Sequence, residues 1–176
     1  MAWKSDFEQL VDQHQAMVFS LALRMTGDRG LAEEIAQDVF LELDEHLGRI
    51  ESAEHARAWL RSVTVSRSTD ALRRRRVRRM DLWVELDEQH GKPAEEKTSP
   101  LSVRLERLLT TLPEAQRAAL ILRYQEDMLP EEIAVALQTP VATVKSQLQR
   151  GLKLLRAKAT NHLREYLRGV GTDGRV

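Results

Sequence analysis

Cysteine is absent from the 176 residues, which removes disulfides, thiolate nucleophiles and cysteine-ligated zinc together. The five histidines, at 14, 46, 55, 90 and 162, are scattered without metal-ligand spacing, so neither a metal nor another cofactor is expected. No apolar run is long enough to cross a bilayer. The amino-terminal Met1-Ala2-Trp3-Lys4-Ser5-Asp6 runs straight into an amphipathic pattern, with no apolar signal core. These absences predict a cytoplasmic protein without membrane insertion. A glycine-rich phosphate loop, a nucleophile motif and a carboxylate pair distinct from surface acids are missing as well, which weighs against an enzyme. No stretch alternates as a strand would.

Net charge is also lacking: 27 Lys plus Arg face 27 Asp plus Glu. The total hides a strong pattern. Residues 1–60 carry 5 basic and 12 acidic groups, 61–80 carry 8 and 1, and 81–100 carry 2 and 6. Residues 101–130 balance at 4 and 4, and 131–176 carry 8 and 4. Two basic blocks in different halves are the footprint of a chain that touches a polyanion twice, while the acidic first third calls for another partner.

Apolar residues recur at steps of three and four throughout. Phe7, Leu10, Val11, His14, Met17, Val18, Leu21, Ala22 and Met25 form one stripe, ending at Thr26-Gly27-Asp28. His14 on that stripe reads as a buried, hydrogen-bonded side chain rather than a general base. A second helix from about Gly30 to Leu47 has an acidic outer surface, and a third from about Ser52 to Arg79 ends in Arg73 to Arg76 with Arg78 and Arg79. The stretch 81–100 is acidic and non-periodic and reads as a linker in which Trp83 and Val84 can dock on a neighbour. Helical periodicity returns at Leu101, Leu105, Leu108 and Leu112, then over Ala115 to Glu126, 130–137 and Val141 to about Tyr166. The fold class is therefore all-α: two small helical domains, 1–80 and 101–168, joined by a flexible linker and followed by a frayed tail, 169–176.

The helices at 130–137 and 141–156, three residues apart, have helix-turn-helix dimensions. Ile133, Ala134, Leu137, Val144 and Leu148 would face inward, leaving Thr143, Lys145, Ser146, Gln147, Gln149 and Arg150 outward. Gln and Arg can bond base edges bidentately, and Lys and Ser suit phosphates. An ordinary helical hairpin with a solvated face has the same spacing. The arginine run can neutralise phosphates, although such runs are commonly just solvated. Trp59, at helical spacing, is more often core than a stacking platform. The acidic helix around Glu33, Glu34, Gln37, Asp38 and Glu42 presents either a solvated surface or a protein interface.

Three stretches carry a resemblance. The first runs from Phe7-x-x-Leu10-Val11 through Leu21-Ala22-Leu23-Arg24-Met25-Thr26-Gly27-Asp28 and on through Ala32-Glu33-Glu34-Ile35-Ala36-Gln37-Asp38-Val39-Phe40-Leu41. The second is Ala58-Trp59-Leu60 through Asp70-Ala71-Leu72-Arg73-Arg74. The third comprises Leu112-Pro113-Glu114-x-x-Arg117, Leu122-Arg123-Tyr124, Glu132-Ile133-Ala134 and Thr143-Val144-Lys145-Ser146-x-Leu148-x-Arg150. Together they resemble regions two and four of the extracytoplasmic-function (group IV) sigma factors of bacterial RNA polymerase, in order and over nearly the whole chain.

The resemblance implies a promoter-specificity subunit. Glu34, Gln37 and Asp38 would dock on the clamp helices of the polymerase's largest subunit, with the polymerase flap a further contact. Trp59, Arg61, Arg67, Arg73, Arg74, Arg75 and Arg76, with the loop near 48–57, would open the minus-ten element and capture an unstacked base. Thr143, Lys145, Ser146, Gln147, Gln149 and Arg150 would read the minus-thirty-five element, the linker would thread through the polymerase, and an anti-sigma factor is a further partner. The alternative is a stand-alone helix-turn-helix regulator with a helical protein-interaction domain.

Several places depart from the family pattern. Where it usually has Ile-Ala-Arg-Asn and then Ile-Asp, this chain has Val63-Thr64-Val65-Ser66 and Thr69-Asp70. Ala142 stands where Gly is common, and Gln147 where Arg is. Gln138 replaces a frequent turn Gly, at a cost of about 1 kcal/mol if the turn needs positive φ.

Overall fold

The computed structural model describes residues 2–81 and 100–170, with side chains over 7–78 and 103–161. Helices α1 (Ala2–Thr26), α2 (Arg29–His46) and α3 (Ala53–Asp81) form the first half, with a 3₁₀ turn at Leu47–Arg49. Helices α4 (Pro100–Thr110), α5 (Glu114–Tyr124), α6 (Pro130–Ala136) and α7 (Val141–Val170) form the second. No strand occurs among the described residues. The linker expected over 81–100 lies, apart from its two ends, outside the described residues, as do its Trp83 and Val84. The last helix runs on to Val170, through the Gly169 at which fraying was expected.

Local chemistry sets the breaks. Gly27 adopts φ +70°, the left-handed conformation that ends α1. Asp28 then caps α2, its carboxylate accepting from the Leu31 N–H at 3.1 Å. Pro130 opens α6, and Glu132 reaches back to accept from the Leu129 N–H at 2.6 Å, covering a donor the helix leaves free. Gln138, between α6 and α7, has φ +49°, so the expected strain of a non-glycine residue in that turn is present.

The expected stripes are buried. Val18, Ala22, Ala32, Ile35, Val39, Leu43 and Leu60 make the first core, with Trp59 and Val63 packed at its edge. The second core contains Leu109, Leu112, Leu120, Ile121, Leu122, Ile133 and Val144. It also contains Leu21 and Met25 of α1 and Val65 of α3. The two halves thus share a core, which no periodicity within one segment foretells.

His14 corrects an expectation. It lies on the apolar stripe and is half-buried, but its Nε2 is buried without a hydrogen-bond partner. Burial, with Arg57 and Arg61 nearby, pushes its pKa below 6.5.

Candidate functional site

Three surfaces gather the residues singled out from the sequence. The first is the outer face of α2, where Glu34, Gln37 and Asp38 are all exposed. They are raised there because Ile35 and Val39, one turn apart on the opposite side, are buried. Beside them Leu41 is 68% exposed. A groove of about 950 Å³ runs between α1 and α2, lined by Phe7, Val11, Phe19, Phe40, Leu41 and Gln37 among others. An acidic rim beside an apolar groove is the composition of a protein-binding face.

The second surface is α3. Trp59 is half-buried and lies against His46, with ring centroids 5.4 Å apart. The arginines differ in how far they are engaged. Arg67 donates twice to Glu42 Oε2, at 2.6 and 3.0 Å, and this carboxylate is the first cause of its raised pKa. Arg75 pairs with Asp28 at 2.9 Å and Arg73 with Asp70 at 2.9 Å. Arg73, Arg74 and Arg76 are exposed. Glu42, Arg67, Asp70, Arg73 and Arg74 line one polar pocket of about 320 Å³.

Arg61 and Arg76 instead meet the second half of the chain. Arg61 Nε donates to Glu126 Oε2 at 2.8 Å and its Nη2 to the Glu126 carbonyl at 3.0 Å. Arg76 Nη2 donates to Glu114 at 2.8 Å.

The third surface is the helix-turn-helix of α6 and α7. Ile133, Ala134 and Val144 are buried, and Leu137 and Leu148 pack partly against them. Thr143, Lys145, Gln149 and Arg150 are exposed, while Ser146 and Gln147 are half-buried. Lys145 Nζ lies 3.8 Å from Glu131, an exposed pair that phosphate can displace. Gly151 lets α7 close on α5, because a Cβ there would stand 2.9 Å from Leu120 Cδ1. Among the described residues no group of His, Asp and Glu is arranged to hold a metal, and no helix is long and apolar enough to cross a membrane.

Arg117 had no assigned role, although Leu-Pro-Glu-x-x-Arg drew notice in the sequence. It is 6% exposed. It donates to the carbonyls of Met25, Thr110 (2.6 Å) and Leu112 (3.0 Å), tying the end of α1 to the α4–α5 turn. Burial pulls its pKa below the ordinary arginine value. A lone buried arginine has no sequence signature of its own, since its three acceptors are main-chain groups.

Among the described residues the arrangement is all-helical, with an acidic face beside an apolar groove, a basic helix end and a helix-turn-helix. The pattern described as Sigma-70 region 2 matches residues 10–78, and that described as Sigma-70, region 4 matches 102–155. The ECF RNA polymerase sigma factor SigL of Mycobacterium tuberculosis is 33% identical over 153 residues, covering 84% of this chain and 85% of that relative. SigE of Mycolicibacterium smegmatis is 30% identical over 167 residues, 90% of this chain but 63% of the relative's own length. Among solved structures, the sigma factor RpoE in complex with the anti-sigma factor NepR from Bartonella quintana has a TM-score of 0.73 at 22% identity, covering 86% of this chain and 95% of that one. CnrH in complex with the cytosolic domain of CnrY has a TM-score of 0.65 at 21% identity, covering 90% of each chain. The chain belongs to the ECF RNA polymerase sigma factors.

Proposed function

We propose that this protein directs core RNA polymerase to a defined set of promoters, working in the cytoplasm as a non-catalytic subunit that positions DNA for the polymerase. On this reading Glu34, Gln37 and Asp38, with the neighbouring apolar groove, dock on the clamp helices of the largest subunit, and the second half docks on the flap. Arg61, Arg67 and Arg73 to Arg76, with Trp59, engage the minus-ten element. Thr143, Lys145, Ser146, Gln147, Gln149 and Arg150 enter the major groove at the minus-thirty-five element.

The observation that carries the reading is the exposure, on one chain, of an acidic face on α2 and of Thr143, Lys145, Gln149 and Arg150 on α7. A stand-alone regulator needs only the second. Gln149 and Arg150 supply donors for base edges, while Lys145 and Ser146 suit the backbone. An anti-sigma factor is a further partner on this reading, since the two solved neighbours are complexes of that kind or with a partner's cytosolic domain. Run-off transcription with core polymerase across a promoter library, with and without this protein, tests the function. Promoter-selective transcripts that require the protein are expected, and transcripts indifferent to it refute the proposal. In the same assay Arg150→Ala should reduce output from promoters with an intact upstream element while leaving core binding unchanged.

A further inference from the structure

The polar pocket of about 320 Å³ between α2 and α3 mixes charges of both signs. Glu42 and Asp70 bring carboxylates, Arg67, Arg73 and Arg74 bring guanidinium groups, and Val63 and Ser66 complete the lining. Two of the three arginines already face a carboxylate there. Arg67 donates from Nε and Nη2 to Glu42 Oε2 at 3.0 and 2.6 Å, and Arg73 donates to Asp70 Oδ1 at 2.9 Å. Because both bonds from Arg67 end on one oxygen, Glu42 Oε1 and Arg67 Nη1 take no hydrogen bond among the described residues. The two side chains are 26% and 41% exposed, so an entering group can reach them.

Glu42 holds a second group through its main chain. Its carbonyl accepts from His46 Nδ1 at 2.9 Å, and the His46 ring lies against Trp59. One turn of α2 therefore positions both Arg67 and Trp59.

This lining does not suit a phosphate, which would meet two carboxylates beside arginines that are already engaged. An uncharged planar group with donors and acceptors side by side meets no such repulsion. A nucleobase edge is such a group, the volume lies at the small end of small-molecule sites, and Val63 offers the ring an apolar wall.

We infer that Glu42 determines base specificity, withholding Arg67 from the phosphate backbone and setting the pocket to read one extruded cytosine of the minus-ten strand. The inference rests on the reading of Arg67 as a minus-ten contact. Cytosine carries an amino donor beside two acceptors. The amino group meets Glu42 Oε1, and Arg67 Nη1 with the exposed Arg74 supplies donors to the ring nitrogen and carbonyl. Thymine would set an oxygen against the carboxylate. Guanine would turn a ring N–H toward the arginines, and adenine offers one acceptor fewer.

The test uses holoenzyme assembled from this protein and core polymerase. Fluorescent forks carry each base in turn at every position of the single-stranded minus-ten segment, and anisotropy reads the affinity. At one position cytosine should bind about tenfold more tightly than thymine, with adenine between. Glu42→Gln keeps the shape of the side chain, and its amide serves thymine and cytosine alike. The preference should fall to about twofold, and the log–log dependence of affinity on salt should steepen by about 0.7 as Arg67 turns to a phosphate. Glu42→Asp, which keeps the carboxylate, should leave the salt dependence as it was. Unchanged affinity for core polymerase in a pull-down shows that both variants fold. The inference is overturned if no position prefers cytosine, if Glu42→Gln leaves preference or salt dependence unchanged, or if it weakens every fork equally. Arg67→Ala separates this role from the reading beneath it. Weaker binding of the cytosine fork supports both, whereas no loss removes Arg67 from the minus-ten contacts and the role of Glu42 with it, and the run-off assay then judges the function of the whole protein independently.

Discussion

Replacing Arg117 by methionine keeps an unbranched apolar stem and deletes the guanidinium. Three main-chain carbonyls, of Met25, Thr110 and Leu112, lose their donor. A buried acceptor left unpaired costs about 1–3 kcal/mol. The loss is partly offset, because burying the guanidinium itself is unfavourable: its pKa is lowered and its Nε has no partner. The net destabilisation is about 3 kcal/mol, a large share of the 5–15 kcal/mol typical of a folded domain. For a chain of this size that corresponds to a fall in Tm of about 6–12 °C, at about 2–4 °C per kcal/mol. Thermal unfolding followed by circular dichroism measures it, with Arg117→Lys as the control. Lysine keeps the charge but cannot span three acceptors, so its Tm should fall between the two. A drop of less than about 2 °C for Arg117→Met would refute the assignment of Arg117 as the tie between the halves.

Other expectations follow from single features. Charge reversal at exposed Glu34 and Asp38 should weaken co-purification with core polymerase about tenfold while shifting stability by no more than about 0.5 kcal/mol, and unchanged co-purification would sink their role. Gln138→Gly should raise Tm by about 2–3 °C, because glycine adopts the observed φ of +49° without a Cβ clash; a lower Tm would show that the turn is not strained. His14, whose pKa in the fold lies below 6.5, binds protons more readily when unfolded. Its contribution therefore reduces stability as pH falls below 6.5 and vanishes above it. His14→Leu should flatten that slope in urea titrations at several pH values and relieve the unpaired Nε2, and a slope left intact would assign the dependence to other groups.

Much of the fold was legible in the sequence because it is local. Apolar stripes at steps of three and four mark the helices, and the Gly27-Asp28 and Pro130 signals mark their ends within a residue or two. The helix-turn-helix and its outward set follow from the same periodicity, since burying Ile133 and Val144 turns Lys145, Gln149 and Arg150 outward. The block charges likewise separated an acidic helix from a basic one without coordinates.

Tertiary structure alone decided how the halves meet. Arg61 finds Glu126 across 65 residues of sequence and Arg117 finds Met25 across 92. No periodic pattern encodes such pairings, because either arginine looks like a surface cation until an acceptor from the other half arrives. Val65 is the clearest case. In sequence it is a departure from the family's usual arginine beside a basic helix end, and in three dimensions it is part of a core shared by both halves. The same substitution reads as a loss in one dimension and as a contact in three, because burial depends on what packs against a residue from far along the chain.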